Sequence, residues 1–373
     1  MRMFDRAHIR RVSWPVILLV APLLAIGLAF VYSASDESAS EPLKQVEWAV
    51  LGVLVFFAVI AIDYKVLVEW AYVLYGLGIV LLILTLTIAS PIHGSRRWLD
   101  LGPVLMQPSE FVKIAVIITF ARYLPNRESH RELIGLLAPF AIVLVPAVLV
   151  ARQPDLGTAL LLLPLFAALV FIAGARVKHL LIFLLMGILA LPVLWFTIKP
   201  YQKERVLSFI NQDTRDPEML MDELHQLTQA KAAIGSGGLA GKGWGQETHK
   251  SLESLPMRNT DFIFAVICEE WGFLRAAGVL VLFFLFFWSC ARVADATRDP
   301  PGRLIVVGTM VLFATQMLVN TGMAAGQLPT VGLPLPFMSY GGSSLLTSFA
   351  GLGLVVNVSM RPQIVLGRES FEE

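Results

Sequence analysis

Long apolar segments are the feature that most constrains this sequence. A helix needs about 20 mostly apolar residues to cross the hydrocarbon core of a membrane, and ten segments of the 373-residue chain meet that need. They are 14–34, 45–62, 66–89, 109–124, 135–151, 157–174, 177–198, 262–291, 302–325 and 340–360. Only 15% of the residues are charged, against about 25% in soluble domains. The sequence therefore predicts an all-α, polytopic membrane protein in which residues 1–373 form a single integral-membrane domain.

The distribution of basic residues predicts the orientation of this protein. Ten spans put both termini on one side, and the N-terminus begins with Arg2, Arg6, Arg10 and Arg11. With that end inside, fifteen Lys and Arg residues lie in cytoplasmic segments and four in the short outer loops. Cytoplasmic loops of membrane proteins carry such an excess. We therefore expect cytoplasmic termini and one long extracytoplasmic loop, 199–261, between spans seven and eight. The first span lacks a clear cleavage site, so we expect it to be retained.

The composition and the spacing of residues do not support nucleic-acid binding, a disulfide framework or a metal site. The net charge is +1, which argues against nucleic acid as a partner. Cys268 and Cys290 both lie in apolar stretches, so no disulfide framework or zinc spacing is predicted. The six histidines are scattered without metal-ligand spacing.

Asp261 is the most informative polar residue because it stands directly before an apolar helix predicted to begin at Phe262. A carboxylate at a membrane surface is costly to desolvate, so its position needs a reason. One interpretation makes Asp261 the N-cap of the helix. The other makes it a general base that faces a lipid-linked substrate. The two roles are compatible.

Two outer segments contain further charged candidates. Arg96 and Arg97 precede Glu110 and Lys113, which are three residues apart and share a helix face. Glu110 and Lys113 could form a structural ion pair, or the basic groups could contact phosphate. Asp155, in a tight turn before Gly157 and Thr158, reads first as a helix cap and second as an acidic group near an outer cavity.

The long outer loop contains a helical run around 219–233 and then the glycine-rich stretch 235–243. This stretch does not match a Walker A motif. The motif requires Gly where this chain has Ser236, and Ser or Thr where it has Gly243. A dinucleotide fingerprint fails as well, because no strand precedes the glycines. Two interpretations remain: plain loop flexibility, or backbone N–H groups that approach an anion, with Lys242 adding a positive charge.

The segment before the last span is rich in proline and glycine. Pro329, Pro334 and Pro336 predict a broken, re-entrant segment that lines a cavity, because irregular backbone at membrane depth is tolerated only there. Ser339, in the same segment, is a candidate substrate contact. Gln316 and Asn320 in span nine are amides expected to bond across helices.

Five ordered stretches carry a family resemblance: RRWLDLGPVLMQPSEFVKIA, QPDLGTALL, AAIGSGGLAGKGW, NTDFIFAVICEEWGF and LPTVGLPLPFMSYGGSS. Together they resemble the SEDS family (shape, elongation, division and sporulation), and the ten-span layout extends the likeness over nearly the whole chain. The short termini and the GSGGLAGKG run look closer to the RodA branch than to the FtsW branch.

The resemblance implies a peptidoglycan glycosyltransferase of the bacterial cytoplasmic (inner) membrane that polymerises lipid II and works with a class B penicillin-binding protein. It implies that Asp261 is the catalytic carboxylate. The departing undecaprenyl pyrophosphate needs a positive clamp, for which Arg96, Arg97, Lys113, Lys242 and Arg258 are candidates. Glu110, Asp155 and Ser339 complete the expected substrate-binding set. A divalent cation such as Mg²⁺ or Mn²⁺ could share the clamp, but no ligand cluster in the sequence identifies one.

The chain departs from the family pattern just before Asp261. Met257 and Asn259 stand where the family usually has Glu and His, which puts any accessory acid or metal ligand at those positions in doubt. Three alternatives stay open: a division or sporulation paralogue with the same activity, a flippase for lipid-linked precursors, and a non-catalytic scaffold. A flippase should carry polar groups through the depth of several spans, whereas here they cluster on the predicted outer side.

Overall fold

A computed structural model describes residues 11–35, 40–90, 95–100, 102, 105–125, 127, 132–197, 200–211, 222–245 and 257–361. These residues form thirteen α-helices and one two-stranded sheet. The helices are α1 (Trp14–Ala34), α2 (Glu41–Ala61), α3 (Tyr64–Glu69), α4 (Ala71–Ile88), α5 (Pro108–Tyr123), α6 (Leu137–Arg152), α7 (Leu156–Ile172), α8 (Val177–Thr197), α9 (Pro200–Ile210), α10 (Asp222–Ser236), α11 (Ile263–Ala296), α12 (Pro300–Ala324) and α13 (Gly342–Met360). Strands β1 (Leu99–Asp100) and β2 (Leu105–Met106) pair antiparallel.

The all-α membrane fold is confirmed, because each of the ten predicted spans coincides with helical structure. Within the described residues, seven helices are long and apolar enough to cross a membrane. The third predicted span, 66–89, is interrupted at Trp70, which separates α3 from α4. The eighth is longer than predicted: α11 runs for 34 residues and is broken at Gly272, whose φ of 73° is not helical. Pro108 occupies the first turn of α5, where its missing N–H costs nothing. The cytoplasmic position of both termini stays a prediction.

The last helix, α13, lies at the centre of the bundle. In the most apolar 18-residue stretch of α13, 78% of the residues are buried, against 22% in the corresponding stretch of α4 at the periphery. Its closest neighbour is α2, and small residues allow the approach: a Cβ at Gly52 would lie 2.2 Å from the Phe349 ring, and one at Gly342 would lie 2.4 Å from Trp48. Glycine is enriched at such contacts between membrane helices because it lets backbones come close.

The segment 325–341 between α12 and α13 is non-helical and folds back into the bundle. Leu333, Leu335, Phe337 and Met338 are buried. The Phe337 ring packs against Phe313, with the ring centroids 5.4 Å apart. The irregular, buried character of this segment matches the sequence-based prediction, and its apolar side chains fix it against α11, α12 and α13.

The described residues of segment 199–261, which is predicted to be extracytoplasmic, include two helices, α9 and α10, where the sequence predicted one helical run at 219–233. Residues 222–233 of that run lie in α10, and residues 219–221 lie outside the described residues. Helix α10 packs against α11. This segment is therefore attached to the bundle at the end where Asp261 lies.

Candidate active site

Asp261 lies in a tight turn before α11. The Met257 carbonyl accepts hydrogen bonds from the backbone N–H groups of Thr260, Asp261 and Phe262, at 3.2, 3.0 and 3.3 Å. Met257 itself adopts a left-handed conformation with φ of 58°. The turn places the partly exposed Asp261 at the end of the bundle rather than inside it.

The interpretation of Asp261 as the helix cap is wrong by one residue. Phe262 is the N-cap of α11, which begins at Ile263, and this cap makes no side-chain hydrogen bond. The physical reason is the turn around Met257, which takes up the N–H groups before the helix and delays its first turn. The N-cap position of α11 is therefore held by Phe262 and not by Asp261.

Asn320 of α12 holds this turn to the 325–341 segment. Its amide nitrogen donates to the Asp261 carbonyl at 2.9 Å and to the Leu333 carbonyl at 2.8 Å. The residue is fully buried, and its amide oxygen has no hydrogen-bond partner among the described residues. The amide was expected to bond across helices, and its two acceptors instead belong to a turn and a non-helical segment, where the bonds fix the backbone of Asp261 itself.

Gly332 leaves room for the Asp261 carboxylate. Gly332 has φ of 68°, and a Cβ at this position would lie 3.2 Å from Oδ2 of Asp261. On the other side of the turn, the Tyr340 N–H donates to the Asn259 carbonyl at 2.9 Å. The side chain of Asn259 donates to the carboxylate of Glu41 at the start of α2. Three segments of the chain therefore position the residues around Asp261.

The Asp155 region lies beside the same segment. A Cβ at Gly157 would lie only 2.3 Å from the Val331 carbonyl, so the start of α7 contacts the residue that precedes Gly332. Asp155 caps α7, its Oδ1 accepting from the Thr158 N–H at 3.2 Å, which confirms the cap interpretation. The buried Asp155 and the partly exposed Asp261 therefore both lie near the backbone of residues 331–332.

Arg97 is the cation that the structure brings to Asp155. Its Nη1 lies 3.9 Å from Oδ1 of Asp155, and its Nη2 donates to the Pro154 carbonyl. Gln107 donates to the other carboxylate oxygen of Asp155 at 3.1 Å. Arg96 faces away from this group, and its Nη1 donates to the Leu86 carbonyl at 3.3 Å. Arg258, three residues before Asp261, is partly exposed.

Glu110 and Lys113 form the structural ion pair predicted from their spacing. The Lys113 ammonium lies 2.7 Å from Oε1 of Glu110, and both side chains are buried. Oε2 of Glu110 has no hydrogen-bond partner among the described residues. The pair therefore neutralises two charges within the first turns of α5 rather than presenting them at the surface.

The glycine-rich stretch clasps the break in α11, so neither the flexible-loop interpretation nor the anion-site interpretation describes its backbone. The N–H groups of Lys242 and Gly243 donate, both at 3.0 Å, to the Glu269 and Glu270 carbonyls. In return, the Phe273 N–H donates to the Gly238 carbonyl at 2.9 Å. These bonds satisfy backbone groups that the break at Gly272 removes from the helix ladder.

Glycine is required where these two backbones touch. A Cβ at Gly241 would lie 2.1 Å from the Glu270 carbonyl oxygen, and a Cβ at Gly272 would lie 2.2 Å from the Gly241 nitrogen. Both residues have positive φ. The glycines thus permit the close backbone approach that a glycine-rich stretch predicts. The partner is the protein's own helix α11 and not a bound anion.

Lys242 pairs with a residue that the sequence interpretation missed. Its ammonium contacts Oε1 of Glu269, which is fully buried. The next residue, Glu270, is also fully buried and accepts a 2.5 Å hydrogen bond from Ser33 of α1. The sequence does signal these two residues, because they are adjacent acids eight and nine positions after Asp261 inside an apolar run. Carboxylates within a membrane helix need partners.

Ser339 makes two hydrogen bonds that support the fold of the protein. Its hydroxyl accepts from the Leu335 N–H at 2.8 Å, and its carbonyl accepts from the Gln45 amide at 3.0 Å. Both bonds hold the 325–341 segment in shape. The side chain is buried, so it is placed to support the segment that carries Gly332.

The described residues do not provide a group of side chains suited to bind a divalent cation. Across the described parts of the chain, no three His, Cys, Asp or Glu side chains are grouped so that they could hold a metal ion. Glu269 is already committed to Lys242. We therefore derive no step through a metal. Cys268 and Cys290 are free and buried, which agrees with the absence of a disulfide framework in the sequence.

Comparisons with known proteins agree with this geometry. A family model described as "Cell cycle protein" (FtsW, RodA, SpoVE) matches residues 14–364. The peptidoglycan glycosyltransferase MrdB of Escherichia coli K12 is 33% identical over 356 residues, which cover 95% of this chain and 94% of the relative. A probable peptidoglycan glycosyltransferase FtsW of Trichlorobacter lovleyi is 35% identical over 359 residues, covering 92% of each.

The fold is also similar to that of a solved structure. A chain from a structure described as "Structural coordination of polymerization and crosslinking by a peptidoglycan synthase complex" superposes with a TM-score of 0.81 at 34% identity. The match covers 93% of this chain and 97% of that one.

Proposed function

Because the chain belongs to the FtsW, RodA and SpoVE family of cell cycle proteins, we propose that Asp261 is the general base with which it polymerises lipid II. The family relationship makes the chain a peptidoglycan glycosyltransferase embedded in a membrane by multiple helices. The role of each residue, the substrate and the face of the membrane are our proposal.

The observation that carries the proposal is the placement of the Asp261 carboxylate. It is partly exposed at the end of the bundle, in a turn held by Asn320, with Gly332 beside it. A general base must reach the proton that it removes and must be held in a fixed position to do so. Asp261 meets both needs, and the N-cap position of α11 is held by Phe262 instead.

The proposed reaction joins two lipid-linked disaccharides. The 4-hydroxyl oxygen of the acceptor N-acetylglucosamine attacks the anomeric carbon of the donor, and Asp261 takes the hydroxyl proton. A new carbon–oxygen bond forms while the bond to undecaprenyl pyrophosphate breaks, and the pyrophosphate leaves with the electron pair. The donor supplies its own leaving group, so the reaction needs no nucleotide outside the cell.

Arg97 is the best-placed cation for the departing pyrophosphate. It lies in the group with Asp155 beside the 325–341 segment, and its side chain is 20% exposed. Its planar fork of donors suits phosphate oxygens. We assign Arg96 and Arg258 to weaker, more peripheral electrostatic contributions. Lys113 and Lys242 act through their ion pairs with Glu110 and Glu269, which hold the surrounding helices.

A class B penicillin-binding protein is the proposed partner. The similar solved structure is described as coordinating polymerization and crosslinking in a peptidoglycan synthase complex. Crosslinking is the complementary activity, so a transpeptidase would use the strands that this chain makes. We propose the cytoplasmic membrane of a bacterium as its location, with Asp261 on the outer face. Cell elongation is the proposed role, on the strength of the GSGGLAGKG run; a division or sporulation role uses the same chemistry.

The experiment that tests this proposal incubates the purified full-length protein with labelled lipid II, with and without a class B partner. The wild-type protein should form glycan strands, and the Asp261→Asn variant should not. Asp295→Asn is the matched control, because Asp295 is an exposed carboxylate near the opposite end of α11. Transfer of labelled lipid II across vesicle membranes without polymer would instead support the flippase alternative.

A further inference from the structure

A cavity lies at the end of the bundle opposite Asp261. Asp261 precedes the first turn of α11, whereas this cavity of about 380 Å³ is lined by residues from its last turns. The start of α1 and the end of α13 complete the walls. The lining includes six residues with polar side chains, which are Arg11, Ser13, Ser289, Arg292, Thr297 and Ser359. The polymerase site does not use any of them.

We propose that this cavity binds the phosphate-bearing headgroup of an anionic membrane phospholipid. Two arginines line it from different elements, Arg11 before α1 and Arg292 in α11. Planar guanidinium groups match phosphate oxygens with paired donors. No acidic side chain of the described residues lines the cavity, and neither arginine is within ion-pairing distance of a described carboxylate.

Two tryptophans place the cavity at headgroup depth. Trp14 lies between the lining residues Ser13 and Pro15 and is 52% exposed. Trp288 directly precedes Ser289 and is 60% exposed. Exposed tryptophans are enriched where the membrane meets water, because the ring prefers apolar surroundings and its N–H prefers polar ones. The ligand in the cavity would therefore sit among lipid headgroups rather than in bulk water.

An apolar helix face continues from the cavity and gives room for acyl chains. Val281, Phe284, Leu285 and Trp288 are exposed on α11. Their spacing of three and four residues puts them on one helix face with Arg292, which follows Trp288 by four positions. A lipid whose phosphate contacts Arg292 could lay its chains along this face. A free phosphate ion would leave it unused.

The charge distribution favours an anionic lipid over a zwitterionic one. Arg11 and Arg292 belong to the segments that are predicted to be cytoplasmic and that hold the excess of Lys and Arg. Basic pockets between helices on the cytoplasmic side suit anionic headgroups, and each basic residue near the surface contributes about 1 kcal/mol, or roughly fivefold in affinity. The hydroxyl of Ser13 can supply a further hydrogen bond to a phosphate or glycerol oxygen.

Lipid titration of the detergent-purified full-length protein, followed by native mass spectrometry, tests this proposal. Phosphatidylglycerol should bind in preference to phosphatidylcholine, and Arg11→Gln or Arg292→Gln should each weaken phosphatidylglycerol binding roughly fivefold. The double variant should weaken it about 25-fold. Arg298→Gln is the matched control, because Arg298 is exposed at the same end but does not line the cavity. Arg292→Lys keeps the charge and should recover part of the affinity.

Three results would overturn the proposal. Equal binding of both lipids, or equal effects of the Arg298 and Arg292 variants, would show that the cavity does not select the headgroup. Protection from thermal unfolding by inorganic phosphate alone, at concentrations as low as those of the lipid, would show that the apolar face plays no part. Far-ultraviolet circular dichroism of each variant checks that a loss of binding does not result from misfolding.

Discussion

The side-chain amide of Asn320 donates a 2.9 Å hydrogen bond to the backbone carbonyl of Asp261. The same nitrogen also donates to the Leu333 carbonyl, so one buried residue of α12 joins the turn before α11 to the segment that covers the Asp261 carboxylate. The position of the proposed base thus depends on a helix that does not contain it.

Asn320→Ala should reduce polymerisation more than stability. Loss of two hydrogen bonds to buried backbone carbonyls costs about 1–3 kcal/mol, and the freed turn should lower kcat at least about tenfold, because small misplacements of a reacting group are costly. Lipid II polymerisation rates and thermal unfolding in detergent measure the two effects. Thr321→Val is the control, since the Thr321 hydroxyl bonds only within its own helix. Equal kcat values for the two variants would contradict this role of Asn320.

Gly332→Ala should impair activity by displacing the Asp261 carboxylate. A Cβ would lie 3.2 Å from Oδ2, and the positive φ adds backbone strain of about 1 kcal/mol. Gly102→Ala introduces a comparable strain, because Gly102 has φ of 87°, but its Cβ would meet nothing within 4 Å. We expect the first variant to lose most of its polymerisation rate and the second to keep it. Similar rates would remove the steric argument for Gly332.

Gly241→Ala should prevent the glycine-rich stretch from docking on the broken helix. The added Cβ would lie 2.1 Å from the Glu270 carbonyl oxygen, which belongs to the backbone and cannot move aside cheaply. We expect a loss of several kcal/mol and poor yield of folded protein. Gly278→Ala, further along α11, meets nothing within 4 Å and should be neutral or stabilising by up to about 1 kcal/mol. Thermal unfolding of both variants makes the comparison.

Lys242 and Glu269 should behave as a coupled pair. Lys242→Met leaves the fully buried Glu269 carboxylate without its cation, which costs about 3 kcal/mol or more. The double variant Lys242→Met with Glu269→Met removes both charges and should unfold at a higher temperature than the single Lys242 variant. Additive effects in this double-mutant cycle would show that the two side chains do not interact.

Arg97→Gln should raise the KM for lipid II about tenfold, which is the size expected for one lost charge-assisted hydrogen bond. Arg96→Gln should have a smaller effect, because Arg96 points towards the Leu86 carbonyl instead of Asp155. Steady-state polymerisation kinetics of both variants decide between them. A larger effect at Arg96 would reverse the assignment of the phosphate contact.

The sequence predicted those features that depend on local spacing. Apolar length determined the spans, the three-residue separation of Glu110 and Lys113 predicted their ion pair, and the short distance from Asp155 to Thr158 predicted the cap of α7. The spans are continuous stretches of sequence and the two contacts lie within one helical turn, so a pattern in the chain reports them directly.

Features that depend on distant segments could not be predicted. The contact between Gly241 and Gly272 joins positions about thirty residues apart. Because of this contact, the glycine-rich stretch packs against α11 and is not an open ligand site. The link from Asn320 to Asp261 was foreseen only as an unspecified contact between helices. Glu269 and Glu270 were visible as acids in an apolar run, but their partners, Lys242 and Ser33, come from other elements.

The most direct test of the central claim is the rate of glycan-strand formation from lipid II by the Asp261→Asn variant in complex with its class B partner. Removal of a general base should lower this rate by roughly 10²- to 10⁴-fold, while membrane insertion, partner binding and the activity of Asp295→Asn stay at the wild-type level. A wild-type rate for Asp261→Asn would contradict the assignment of Asp261 as the base.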